Sequence, residues 1–523
     1  DRDQLSARSE DSIADKVEVL WVGVVTGVSV DSEDDSKASK YIRTDDLNDE
    51  ERTSLIVKLG TMNLHPVFVS DRVHDNFNIG FCKSVLWPLH HNAQALTLLG
   101  EQMKNYKNMW LDYQKVNELI ASCVCSLYKD GDSIWVHDYH LSLLPRAIRE
   151  RLNSESPTII FFYHVPFPTS EVLRSLPTRT DILKGILAAN VVGFHTFDHA
   201  RHFVTACQRF VGLSSYSQKG DLGVDYNGRH VMIVVNHVGI DGNMIMREGR
   251  SEYVKQKAKE LCMKHKGRIL IGCHEYLQRL NGLALTLLAF ERFLITYPRW
   301  RETVCLVLRC AEINERLADT LRTKREVEEL VGRLQKRFGV GVVDFEAFST
   351  GINGYQSGFP RKDRLALFLA CKVLIKNSLQ EGLERIPLEY VYVKEPPNEG
   401  IVMVSEFTTC ASVLNGGVRI NPWDVKEVAD TIDRVLNMGK EERARRRARD
   451  LEYVSSNAAV DWTVRVLQDA DRAKQAGDQT MLEGMEGNEY SNRVVRRGAR
   501  VLDSNTLTRS LMSSYRQNRP CIF

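Results

Sequence analysis

The sequence predicts an α/β protein built as two successive domains with parallel sheets and a ligand cleft between them. Three observations predict it. Short apolar runs alternate with longer amphipathic stretches between Ser133 and Leu213, and the alternation restarts after Asn236-His237-Val238-Gly239. The chain also has 523 residues, 43% apolar and 26% charged, enough for two or three full cores. Alternation of this kind favours βαβ units, and paired open α/β domains bind ligands in the crevice they share.

Taken in order, Val17 to Val28 is the first apolar run, broken by Glu18 and glycines, and Asp31 to Arg52 is a dense acidic and Ser-containing stretch that reads as a solvated loop or small excursion. Pro66-Val67-Phe68-Val69 is strand-like. Ile134-Trp135-Val136 and Thr158 to Phe162 are strands, followed by helical stretches at Leu141 to Leu152 and Ser170 to Leu176. In the second half, Arg268 to Gly272, Val304 to Leu308, Val373 to Ile375 and Ile401 to Val404 read as strands, and Gly282 to Tyr297 and Val425 to Met438 as helices. Lys440 opens a charged helix with i,i+4 opposite-charge pairs, and periodicity fades beyond Ala476. The expected units are therefore residues 1–236, residues 237–476 and a loosely ordered tail, 477–523.

Seventy Lys and Arg against 68 Asp and Glu leave a formal charge of +2, so no global field is available to hold nucleic acid or an anionic membrane. No apolar run approaches the ~20 residues of a membrane-spanning helix. Eleven Cys without paired C-x-x-C spacing argue against disulfide frameworks and structural zinc, and place the chain in a reducing, cytoplasmic compartment. The chain opens Asp1-Arg2-Asp3 with neither Met nor a secretory pattern, so Asp1 reads as a processing or fragment boundary and the first domain as incomplete at its start. The end, Pro520-Cys521-Ile522-Phe523, is no prenylation box, because the Cys stands third from the end rather than fourth.

Chemistry concentrates at two strand ends. Trp135-Val136-His137-Asp138-Tyr139-His140 runs from a strand into a helix, where open sheets present side chains to a ligand, and Asp138 there can accept sugar hydroxyls or cap the helix. Phe161 to Pro168 leaves His164 at a strand end held extended by two prolines. With Gly80 to Leu89 (GFCKSVLWPL), HVPFPTSEVLRSLP from His164, VVGFHTFDHARHF from Val191 and SEFTTCASVLNGGVRINPWDVKEVADTI from Ser405, these segments resemble the trehalose-6-phosphate synthase family of retaining glucosyltransferases over roughly residues 60 to 470.

The resemblance implies the GT-B architecture, two Rossmann-like domains facing a cleft, and transfer of glucose from UDP-glucose to glucose 6-phosphate with retention, without metal or other cofactor. It implies Trp87 and Asp138 beside the acceptor, His164 near the transferred glucose as the catalytic pair with Asp138, and Gly382, Leu383 and Glu389 around the nucleotide sugar, Glu389 holding the ribose. Its partners are then a sugar phosphate and a nucleotide sugar, with a synthase or phosphatase partner chain and oligomerisation open, and no nucleic acid or membrane. The tail contains no Asp-x-Asp phosphatase motif, so phosphate hydrolysis is not expected.

The chain also departs from the family pattern. The family's diphosphate Arg and Lys fall on Tyr276 and Asn281, and its D-G-M-N-L loop reads Glu381-Gly382-Leu383-Glu384-Arg385. Two carboxylates at a diphosphate site repel it unless Arg279 or Arg385 turns inward as a compensating cation. The acceptor-phosphate Tyr and Arg fall on Asn78 and Asn314, and the family's opening strand and Gly-rich loop have no counterpart before Leu20. Two readings follow: an active glucosyltransferase of trehalose biosynthesis, or a catalytically lapsed member acting as a regulatory or sugar-phosphate-binding subunit.

Overall fold

The computed structural model describes residues 18–30, 40–93, 101–152, 157–218, 221–313, 316–348, 359–486 and 521–522. The first sheet comprises β1 (Val19–Val25), β4 (Leu64–Phe68), β5 (Ser133–His137), β6 (Thr158–Phe162), β7 (Val191–Phe194), β8 (Ser215–Gln218), β9 (Asp221–Tyr226) and β10 (Arg229–Val235), while β2 (Gly27–Val30) and β3 (Lys40–Arg43) form a separate hairpin. The second sheet comprises β11 (Ile269–Tyr276), β12 (Val304–Ala311), β13 (Val343–Phe348), β14 (Val373–Lys376), β15 (Ile401–Ser405) and β16 (Val418–Ile420). A last strand, β17 (Cys521–Ile522), joins the first sheet.

Strands β5, β6 and β7 are wholly or mainly buried because both faces are covered, and they read as near-continuous apolar runs. Helices α1 (Asp49–Gly60), α2 (Glu101–Leu127), α3 (Leu144–Leu152) and α4 (Phe197–Val211) belong to this half. Its order is β4-β1-β17-β5-β6-β7-β10-β9-β8, parallel except for the turns of β9 against β8 and β10. Among the described residues, the two of β17 alone stand between β1 and β5, paired to Val19, Leu20, Ser133 and Ile134. Above them a cavity of about 230 Å³ is lined by Trp21, Val22, Ile120, Val124 and Trp135, and β1, though apolar and internal to the sheet, has no buried residue.

The second sheet is fully parallel in the order β13-β12-β11-β14-β15-β16. The chain direction of travel therefore reverses between β11 and β14, the switch point at which open α/β sheets leave a crevice outside their carboxyl ends. Its helices include α5 (Leu283–Thr296), α6 (Leu317–Phe338), α7 (Arg361–Ala370), α8 (Ile386–Val393) and α9 (Lys440–Ser455). The last, α10 (Ala459–Glu486), returns to the first sheet, where Trp462 packs 4.9 Å from Trp135 and Asn236 donates to Asp469 at 2.8 Å.

The sequence-derived elements reappear with shifted ends. Thr158 to Phe162 is the strand expected, and β11 and β12 run three or four residues further than their apolar runs because both continue to the crevice. The helical stretch from Leu141 is split into a 3-10 turn, Tyr139–Leu141, and α3. The acidic stretch read as a solvated loop or small excursion is no plain loop: β3 and the start of α1 lie within it, and Asn48 caps α1 through a reciprocal bond with Glu51; its residues 31–39 lie outside the described ones. Helix α10 continues to Glu486, ten residues past the point where the tail is expected to lose order; most of the rest of the tail, and Asp1, lie outside the described residues. The ten cysteines from Cys82 to Cys410 are free thiols. No helix among the described residues is long and apolar enough to cross a membrane.

Candidate active site

The first domain supplies its groups from the carboxyl ends of β5 and β6. Asp138 follows β5 at φ +66°, a conformation costly for a non-glycine residue and over-represented at functional sites. It does not act as a side-chain helix cap. Its Oδ1 instead accepts the backbone N–H of His164 at 3.3 Å, tying the two strand ends together. Burial pushes its carboxyl up to about 6, against the backbone N–H groups of Tyr139 and His164 and the Lys83 charge, which pull it down.

His164 Nε2 lies 3.0 Å from His137 Nδ1, and its ring sits among Phe162, His195 and Trp462. Burial lowers its pKa to about 3, helped by His137 and by the charge of Arg385, which therefore stands near it across the cleft. The carbonyl of His164 meets the second domain directly, since a Cβ built on Gly382 would come within 2.6 Å of it. Only glycine permits that approach.

Trp87 is set by an unusual backbone. Asp75–Leu86 is a π-helical segment, and the Trp87 N–H continues its i→i−5 pattern by donating to Cys82; π segments of this kind recur at functional sites. The indole is sandwiched between His91, with centroids 4.1 Å apart, and the guanidinium of Arg316, 4.0 Å from the ring centroid. Arg316 comes from the second domain, so this stack spans the cleft. Its Nη2 is 3.5 Å from Asp319, while Nη1 is buried and meets no acceptor among the described residues. After burial and the Trp87 carbonyl, the charges of Arg316 and Lys83 help shape the pKa of His91, which is lowered to about 4. Two cations thus flank the Trp87 end of the cleft. Asn78 is half-buried, and Asn314 lies outside the described residues.

At the β11–β14 switch point the arrangement differs from the expectation. Arg279 and Arg385 are both exposed, and the cation that meets the loop carboxylates is Lys376, at the end of β14. Its Nζ lies 2.6 Å from Glu275 Oε1, pairs with Glu384 and donates to the His274 carbonyl at 2.7 Å. Asn281 donates to the other oxygen of Glu275 at 3.0 Å, and Tyr276 turns outward. Burial pushes Glu275 up to about 7 and also raises Glu381 and Glu384; burial opposes the Lys376 charge, but the three carboxylates outweigh it and raise its pKa. Glu389, expected at a ribose, is clamped by Arg364 through two bonds of 2.9 and 3.0 Å. Leu383 packs on the core beside the Gly382 loop.

The structure therefore brings Asp138, His164, Gly382 and Arg385 together, and places Trp87 at a cross-domain stack. Sequence reasoning missed His137, Lys83, Arg316 and Lys376. A charged residue closing the apolar run Val373 to Ile375 was the available signal for the last, since strand carboxyl ends face the crevice.

The family model of glycosyltransferase family 20 matches residues 2–472. The UDP-forming alpha,alpha-trehalose-phosphate synthase A of Dictyostelium discoideum is 33% identical over 466 residues, covering 89% of this chain and 58% of its own length. A probable UDP-forming alpha,alpha-trehalose-phosphate synthase of Arabidopsis thaliana, number 2, is 32% identical, covering 84% and 52%. This chain thus spans little more than half of these curated relatives. Among solved structures, the N-terminal domain of Candida albicans trehalose-6-phosphate phosphatase matches with a TM-score of 0.73 at 30% identity, over 81% of this chain and 87% of that one. A UDP-forming trehalose-phosphate synthase from Burkholderia xenovorans matches with a TM-score of 0.70 at 27% identity, over 79% and 89%.

Proposed function

This chain is a member of glycosyltransferase family 20 with the GT-B fold, and from that premise we propose that it transfers glucose from UDP-glucose to glucose 6-phosphate with retention, as a trehalose-6-phosphate synthase. The observation that carries the reading is the meeting of Asp138 and His164 against Gly382 at the mouth of both sheets. In this reading Asp138, ionised at neutral pH, accepts acceptor hydroxyls and sets the attacking oxygen, while neutral His164 hydrogen-bonds the transferred sugar. Arg316 and Lys83 take the acceptor phosphate, a task for which the residues at Asn78 and Asn314 carry no charge, with Trp87 beneath it.

The reading supposes cytoplasmic substrates, and units divided near residue 236 with α10 closing the first. The test is incubation of the full chain with UDP-glucose and glucose 6-phosphate, following UDP release and the anomeric configuration of the product by NMR. An α,α-linked disaccharide phosphate supports the reading. UDP release without it, or no turnover by a folded chain, refutes it and leaves the lapsed, binding-only alternative, whose one favouring observation is the pairing of Lys376 with carboxylates where a diphosphate is expected.

A further inference from the structure

Resting on that reading, we propose that Lys376 is the cation that meets the anionic leaving group of the donor, and that Glu384 occupies it until the anion arrives. The geometry begins with place. Lys376 ends β14 at the switch point beside β11, its side chain 2% exposed, in the crevice where a parallel sheet of this order receives a ligand. Tyr276 and Asn281 carry no charge and Arg279 between them is exposed, so among the described residues the buried ammonium that reaches the β11 carboxylate is that of Lys376 on the neighbouring strand.

Charge comes second. One ammonium faces Glu275 from β11 and Glu384 and Glu381 from the loop, with Cys273, His274, Cys310, Cys410 and Arg364 as the other titratable or charged groups around the cluster. A permanent structural pair needs one carboxylate, and Glu275 already provides it at 2.6 Å with its second oxygen held by Asn281. Glu384 is the surplus partner, and it sits on a loop rather than a strand. A phosphate oxygen can take its position on Nζ without breaking the Lys376–Glu275 pair.

Unmet hydrogen bonding comes third. Asn377, the next residue, is 1% exposed, and neither its amide nitrogen nor its oxygen has a partner among the described residues; Nε2 of His274, a residue 7% exposed, has none either. Buried polar groups are normally satisfied, so two orphaned side chains beside one cation mark a place where a ligand completes the bonding. The Asn377 carbonyl packs so closely on Gly282 that a Cβ there would stand 2.0 Å away, which brings the uncapped start of the 14-residue α5 to the same spot.

Glu384 and Gly382 share the loop that presses on the His164 carbonyl. Displacing Glu384 from Lys376 therefore frees the loop at the point where it touches the first domain, and donor occupancy is read out beside the transferred sugar.

The test is calorimetric titration of the full chain with inorganic pyrophosphate and UDP at low salt and pH 7.5, for wild type, E384Q and E384Q/K376M. E384Q is expected to bind both at least tenfold more tightly than wild type, with the gain lost in the double variant. Equal or weaker binding by E384Q, or a gain that survives K376M, overturns the proposal. Because K376M strands buried carboxylates and can unfold the chain, a second measurement uses only wild type and E384Q: acetylation of Lys376 by acetic anhydride, followed by mass spectrometry. Faster labelling in E384Q with protection by pyrophosphate supports the assignment, and labelling unchanged by either overturns it. The product assay separates this from the parent reading. Product from wild type without an E384Q gain removes only the Lys376 assignment, and an E384Q gain without product from any variant removes only glucosyl transfer.

Discussion

His137 Nδ1 and His164 Nε2 stand 3.0 Å apart at the ends of adjacent parallel strands. A hydrogen bond between two imidazole nitrogens needs one N–H and one lone pair, so the two rings cannot both be protonated there. Burial lowers His137 to about 4 and His164 to about 3, and both rings are neutral throughout the physiological range. The pH–rate profile of glucosyl transfer should therefore show no imidazole step between pH 5.5 and 8. H164A should lower kcat/KM by about a hundredfold, the usual cost of one preorganised hydrogen-bond group. H137A should lower it less and leave the KM for the acceptor unchanged. A step near pH 6.5 that vanishes in H164A would show that the ring titrates in use.

The Arg316 guanidinium over Trp87 gives a prediction for the acceptor end. A charge-assisted bond to phosphate contributes about 1.5–3 kcal/mol, so R316M should raise the KM for glucose 6-phosphate by roughly 10- to 100-fold, with a small change in kcat. The same variant should leave the much weaker use of unphosphorylated glucose unaffected. Equal losses on both acceptors would mean that Arg316 acts only by holding the Trp87 stack.

The two-sheet architecture was legible because β5 to β7 and β11, β12, β14 and β15 are covered on both faces, and such strands appear as near-continuous apolar runs, whereas the edge strand β13 is half-exposed and gives no such run. Asp138 and His164 were legible for a related reason: each follows such a run directly. The donor end was not. Glu384 and Lys376 are eight positions apart on a loop and a strand, and Glu275 is a hundred residues earlier, so their pairing depends on the order of strands in the sheet. Proximity in sequence points instead to Arg279 and Arg385, which are nearer to the missing positions and are exposed. Helix α1 was missed because none of its residues is buried, leaving no apolar stripe to read.

Acid sensitivity follows from the buried imidazoles. Burial lowers His90, His140 and His164 to about 3 and His91, His137 and His199 to about 4. A group with a lowered folded pKa binds protons less readily when folded, so its neutral form adds stability above pH 6.5 that is lost as pH falls towards 4. Asp138, Asp450 and Glu275, raised to about 6, 6 and 7, act in the opposite sense, since their contribution grows as pH falls from 7. Each of these six histidines costs on the order of 2–3 kcal/mol by pH 4.5, and among the described residues the ten histidines that burial lowers outnumber the seven carboxyls it raises. Urea midpoints should fall steadily from pH 6.5 to 5, with cooperative unfolding near pH 4.5 in buffer alone. A midpoint that rises over this interval would contradict the burial of these rings.

Glu389 and Arg364 form a two-bond pair with side chains only 9% and 14% exposed. Removing one partner of such a pair strands the other charge, at a cost of about 3–5 kcal/mol, whereas replacing both by apolar groups is often neutral. R364M should therefore destabilise the second domain by that amount in urea unfolding, and R364M/E389L should recover most of it. A carboxylate has lone pairs left after accepting two guanidinium bonds, so the pair does not by itself bar Glu389 from holding ribose hydroxyls. The two roles separate in E389Q, which keeps the shape and an acceptor oxygen but loses the charge. If Glu389 only anchors α8 to α7, E389Q lowers the urea midpoint and leaves the KM for UDP-glucose within twofold. If it also holds the ribose, that KM rises by about tenfold or more, the loss of a charge-assisted hydrogen bond, while the KM for glucose 6-phosphate stays fixed. Under the proposed function the donor-specific change is the expected outcome, with Arg364 orienting the carboxylate through its two bonds.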